Sequence, residues 1–205
     1  TIGVNSGAGV AAAICCAVAP TAQALVPIAA FIGAMAAAML VLFIAERTGA
    51  AKITLVLAGV AISNILSAGV DAVVTFAPEA LNAYSDFRIG SLENLTMQRL
   101  LYPAIVTALA MAAAFLMTNE LDVLMLGADT AESLGMKAGR VRILLLAVAA
   151  ALAGAAVSFA GLLGFVGLIA PHMMRRFTGD EARYLLPASA LGGAALLLIC
   201  DTASR

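Results

Sequence analysis

Charge is missing from five long stretches of this chain: Thr1 to Ala45, Ile53 to Val70, Leu100 to Asn119, Ile143 to Met174 and Leu185 to Cys200. An apolar helix needs about 20 residues to cross a bilayer, so each stretch is a candidate crossing. The first is too long for one span and is interrupted by Pro20-Thr21-Ala22-Gln23 and Pro27, which splits it into two. The fourth is also too long for one. Hydrophobic residues make up 63% of the chain and charged residues only 11%, where a soluble domain has about 25%. The fold class is therefore all-α, a polytopic transmembrane helix bundle forming a single domain over residues 1–205.

Basic residues set the orientation. If Ile143 to Met174 crossed once, Lys137, Arg140 and Arg142 would lie opposite Arg175, Arg176 and Arg183, against the positive-inside rule. Two crossings with a turn near Gly161 to Gly164 put both clusters on one side. Seven crossings follow: about Gly7 to Pro20, Ile28 to Ala45, Ile53 to Phe76, Leu100 to Thr118, Ile143 to Ala160, Leu163 to Met174 and Leu185 to Asp201. With the first running outward, Arg47, Lys52 and the six residues just named face the cytoplasm, and Arg88, Arg99 and Arg205 face out.

Other classes fall away. A net charge of −1 and a pI near 5.7 offer no basic footprint for nucleic acid. Cys15, Cys16 and Cys200 lie in apolar segments without a C-x-x-C pair, and His172 is the sole histidine, so neither a metal site nor a cofactor is implied. No phosphate-cradling G-x-x-x-x-G-K-(S/T) loop and no hydrolytic triad or H-E-x-x-H pattern occurs, so the chain is not expected to be an enzyme.

Ionisable residues inside apolar spans are candidates for function. Asn64, Ser67, Asp71 and Thr75 follow i, i+3, i+7, i+11 spacing and make one polar stripe on the third span. The stripe suits either an aqueous translocation pathway or interhelical hydrogen bonding. His172, beside Pro171, is either a helix-end structural residue or a proton relay. The external loop at 78–99 mixes Glu79, Asp86, Glu93, Tyr84 and Phe87 with Arg88 and Arg99. Those arginines are candidates for docking a soluble protein; an ordinary solvated loop is the alternative.

The cytoplasmic segment at 119–142 contains Leu126-Gly127-Ala128-Asp129-Thr130-Ala131-Glu132-Ser133-Leu134-Gly135. Asp129 can cap a short helix over Thr130 to Leu134, and Gly135 can end it in the left-handed conformation. Two short helices around a glycine would form a stiff knob; a solvated connection is the alternative.

Gly164-Phe165-Val166-Gly167-Leu168-Ile169-Ala170-Pro171-His172, followed by Arg183-Tyr184-Leu185-Leu186-Pro187, has the pattern of a membrane hairpin. Gly164 and Gly167 admit close helix packing, and Arg175 and Arg176 end the apolar half at the cytoplasmic surface. These strings closely resemble the FecCD-type permease subunits of ABC importers for iron-siderophores, haem and cobalamin. Gly3-Val4-Asn5-Ser6-Gly7-Ala8 resembles the opening of that family's third span. The resemblance implies a ten-span permease fold of which this chain is a fragment, roughly the third to the ninth span.

It also implies that Leu126, Gly127, Asp129, Ala131, Leu134 and Gly135 form the coupling segment that docks on an ATP-binding cassette ATPase. The span bearing Asn64, Ser67, Asp71 and Thr75 would line the route, and Gly164, Gly167, Pro171, His172, Arg183 and Pro187 would build the hairpin. The implied partners are the ATPase, a substrate-binding protein, a second permease subunit and the lipid bilayer, in a bacterial cytoplasmic (inner) membrane. The implied cargo is a metal chelate, foremost a ferric siderophore, with haem or cobalamin behind it. A proton-coupled secondary transporter using Asp71 and His172 is the rival from another class.

Overall fold

The computed structural model describes residues 3–19, 25–47, 52–89, 97–162 and 164–204. Every regular element among them is a helix: α1 Val4–Val18, α2 Val26–Arg47, α3 Lys52–Phe76, α4 Ala80–Ile89, α5 Met97–Leu116, α6 Thr118–Met125, α7 Ala128–Ser133, α8 Ala138–Ala160, α9 Val166–Thr178 and α10 Ala182–Ser204. An all-helical membrane chain follows from the solvent: hydrocarbon supplies no partner for backbone N–H and C=O groups, so each segment must satisfy its own.

Four helices, α2, α3, α8 and α10, are long and apolar enough to cross a membrane, and α5 with α6 makes a fifth if that bent pair is one span. The other two expected crossings are α1, of 15 residues, and α9, of 13. At 1.5 Å per residue they reach roughly 20 Å, short of a hydrocarbon layer of about 30 Å. Pro27 stands in the first turn of α2, where a missing N–H costs nothing.

The chain divides into two compact units, one of Thr1–Met111 with Leu146–Leu163, the other of Ala112–Leu145 with Gly164–Arg205. In the first, α1 packs against α2, α3 and α4. Its core is built from small side chains: Ala8, Ala12, Ala30 and Ala34 are fully buried, with Val4, Cys16, Val26 and Val157 around them. Small residues bring helix backbones together, which generates packing where the surrounding lipid removes most of the hydrophobic driving force. The tightest point is between α1 and α2. A Cβ on Gly7 would sit 2.5 Å from the Gly33 carbonyl oxygen, and one on Gly33 would sit 2.5 Å from Ala11 Cβ. On α8, Gly154 accepts the Phe31 ring of α2, since a Cβ there would meet Phe31 Cδ2 at 3.1 Å.

Within the segment expected to be an external loop, residues Ala80–Ile89 form a helix, α4. Ala80 and Tyr84 are buried, and Ala83 and Phe87 pack on the same core. The 80, 83, 84, 87 spacing is a helical face, a signal present in the sequence but obscured by the polar residues Asn82, Ser85 and Asp86 between.

In the second unit α9 lies along α10, with Met174 over Gly192 and Ala170 beside Gly193. The turn into α9 holds Phe165 at φ 63°, the non-glycine residue with positive φ among those described. A left-handed residue with a Cβ costs about 1–2 kcal/mol. The Val166 amide donates to the Gly164 carbonyl at 2.7 Å in that turn, fixing its path.

Gly33→Ala should lower thermal stability in detergent, because the new methyl meets backbone and a neighbouring Cβ; overpacking of this kind costs about 1–3 kcal/mol. Gly69→Ala on α3, where the nearest atom is Val10 Cγ2 at 3.7 Å, should be neutral or stabilising. Equal melting temperatures for the two variants would contradict the close α1–α2 approach.

Candidate functional site

The segment from α5 to α8 is a chain of deliberate breaks. At Met117 the helix bends by 57° between α5 and α6. The Met117 amide donates to the carbonyls of Ala113 and Ala114, both at 3.2 Å, while its own carbonyl accepts from Leu121 at 3.0 Å, so the bend leaves these groups paired. One turn later Asp122 Oδ1 accepts the Ala182 N–H at 2.9 Å, joining α6 to the start of α10.

After α6 the chain passes through Gly127 at φ 113° and enters α7. This corrects one expectation. Asp129 does not cap the helix: Gly127 is the N-cap, its carbonyl accepting from Ala131 at 3.0 Å, and the helix begins at Ala128. Asp129 instead lies in the first turn, where a carboxylate complements the positive end of the helix.

The end of α7 is a Schellman motif. The Gly135 amide donates to the Glu132 carbonyl at 2.9 Å and the Met136 amide to the Ala131 carbonyl at 3.0 Å, with Gly135 at φ 83°. Ala131 is fully buried, whereas Leu126 and Leu134 are 67% and 66% exposed. The result is a small knob whose backbone is internally bonded and whose apolar side chains face outward.

In the first unit, Asn64, Ser67, Asp71 and Thr75 are all exposed on α3. Leu57 and Val60 continue the same line, so this face is apolar at one end and polar toward α4. The Thr75 hydroxyl donates to the Asp71 carbonyl at 2.7 Å, which leaves the Asp71 carboxylate outside that bond. Arg88 is exposed in the last turn of α4; the side chain of Arg99 lies outside the described residues. Burial pushes the Tyr84 hydroxyl above its ordinary pKa, Arg88 pulls it back and Asp71 adds to the rise. Tyr84 was given no role in the sequence reading; the fold buries it on the inner face of α4.

The hairpin candidates lie in the second unit. Gly164 and Gly167 flank the Phe165 turn and are exposed. Pro171 sits inside α9, His172 and Arg183 are exposed, and Pro187 is inside α10. Arg175 Nε bridges Asp180 at 2.8 Å across the turn between the helices. Among the described residues no group of three or more His, Cys, Asp and Glu side chains could hold a metal ion.

Gly135 and Gly139 both face open space, with no atom within 4 Å of an added Cβ, but only Gly135 has positive φ. Gly135→Ala should therefore destabilise by about 1 kcal/mol, and Gly139→Ala should not. Thermal unfolding of the two variants checks this; a harmless Gly135→Ala would remove the left-handed cap.

The FecCD transport family matches residues 1–205. The Fe(3+)-citrate import system permease protein YfmE of Bacillus subtilis is 38% identical over all of this chain and 62% of its own length. The cobalamin import system permease protein BtuC of Halobacterium salinarum is also 38% identical, over all of this chain and 56% of its own length. A solved structure described as an inward-facing metal-chelate type ABC transporter superposes with a TM-score of 0.89 at 25% identity, covering 98% of this chain and 64% of that one. This chain thus spans about three-fifths of the length of these relatives. With the family match running from end to end, the chain belongs to the FecCD transport family.

Proposed function

We propose that this chain forms the core of the transmembrane subunit of a binding-protein-dependent ABC importer that carries a metal chelate. The observation that carries the proposal is the α6–α7 knob. It is stiffened by its own backbone bonds, ends in a glycine cap, and presents Leu126 and Leu134 to the outside. Exposed apolar side chains on a rigid cytoplasmic turn fit a groove on a partner ATPase. The chain holds no phosphate-cradling motif, so the energy comes from that partner.

The exposed face of α3 fits a route between two permease subunits. Its apolar length suits a bulky chelate shell, and Asn64, Ser67, Asp71 and Thr75 suit hydration near one end. A weakly polar route requires selection elsewhere, which assigns specificity to a soluble binding protein docking near Arg88. The relatives' named cargoes, Fe(3+)-citrate and cobalamin, favour a metal chelate, with ferric siderophore the first candidate. The membrane is the bacterial cytoplasmic one. ATP-driven closure of the ATPases would pull on the knobs and open the route alternately to either side.

Co-purification of the full-length subunit with its ATPase in mild detergent tests the reading. Wild type should retain the ATPase, and the double variant Leu134→Asp, Gly135→Pro should lose at least about tenfold of it, equivalent to about 1.4 kcal/mol of binding, while still inserting. Failure of wild type to retain any ATPase would favour the proton-coupled carrier. Asp71→Leu should separately reduce transport several-fold without affecting ATPase retention; an unaffected rate would remove the stripe from the pathway.

A further inference from the structure

The amide at the start of a long helix has no partner within that helix. In α10 that amide belongs to Ala182, which is 1% exposed, so water cannot serve it and leaving it unpaired would be costly. The nearby carboxylate of Asp180 is engaged with Arg175 at 2.8 Å. The Glu181 carbonyl receives the Leu185 amide at 2.9 Å and the Tyr184 amide at 3.2 Å, as a helix start requires. The Ala182 N–H goes instead to Asp122 Oδ1 of α6, at 2.9 Å and sixty positions away in the chain.

We propose that Asp122 is a positioning residue that ties the α6–α7 knob to α10, so that displacement of the knob is delivered to the α9–α10 hairpin through one half-buried, charge-assisted bond. The proposal rests on the importer reading, because it assigns a route for the force that the ATPase applies. The surroundings of the bond support it. The bond joins two elements that also pack on each other. A carboxylate at a helix N-terminus is stabilised both by the N–H and by the helix dipole, so the link is stronger than an ordinary amide contact. Beyond it, Met174 over Gly192 and Ala170 beside Gly193 lock α10 to α9, leaving little slack. On the other side, α6 runs from Asp122 to the Gly127 turn within a single turn of helix. Asp122 therefore sits where a movement of α7 would otherwise be absorbed by the break at Met117.

Asn caps a helix about as well as Asp, whereas Ala supplies no acceptor. This separates the bond from the side chain's bulk. The test is hydrogen exchange on the full-length permease with its ATPase in nanodiscs, at rest and trapped with ATP and vanadate, for wild type, Asp122→Asn and Asp122→Ala. At rest, exchange at the start of α10 should rise about tenfold in Asp122→Ala and by a smaller factor in Asp122→Asn, which keeps the acceptor but loses the charge. On trapping, wild type and Asp122→Asn should change exchange in both the knob and α9–α10. Asp122→Ala should respond in the knob alone, a split that general destabilisation would not produce.

An Asp122→Ala response in α10 equal to that of wild type would overturn the proposal. So would loss of the knob response together with that of α10, which would make Asp122 a folding residue. A wild-type complex whose knob ignores the nucleotide would overturn the importer reading and the inference with it; unchanged resting exchange in Asp122→Ala would overturn the inference while leaving the importer reading standing.

Discussion

Hydrocarbon offers a backbone nothing to hydrogen-bond, and the architecture of this chain follows from that. Every described element is a helix that closes its own ladder, so the design problem moves to the places where a ladder must stop. Three of these stops keep their amides engaged: Met117 bonds to the preceding turn, Gly135 and Met136 close a Schellman motif, and Ala182 borrows a carboxylate from α6. Breaks of this kind are permitted where water or protein can serve the freed groups. That concentrates irregular geometry at the segment between α5 and α8 and at the Phe165 turn.

Between the stops, packing is done by small residues. The fully buried alanines of α1 and α2 and the contact of Gly7 with Gly33 bring two helices to backbone distance. Such a core is stiff because it contains few long side chains to rearrange. Within the second unit, a compact knob can transmit a push only if something connects it to the helices that would move. The Asp122 to Ala182 bond fills that position in the second unit.

Much of this was legible in the sequence because the bilayer makes length and charge decisive. The uncharged runs located α1, α2, α3, α5, α8, α9 and α10, and the family strings pointed to the fold that the comparisons then showed. What escaped depended on contacts or on local geometry. The α4 helix was masked by its polar residues, although Ala80, Tyr84 and Phe87 mark its buried face. Asp129 carried the residue type of a cap, yet Gly127 had already started the helix, since its backbone freedom allowed an earlier entry. Asp122 belongs to no motif in the sequence. Its role depends on a partner sixty positions away, which no local pattern encodes.

The central claim is that the Leu126 to Gly135 knob meets an ATPase, and site-specific photo-crosslinking in native membranes tests it most directly. A photoreactive residue placed at Leu134 of the full-length subunit should crosslink to the ATPase, and one placed at Arg88 should not. Crosslinking at neither position, or at Arg88 alone, would contradict the account.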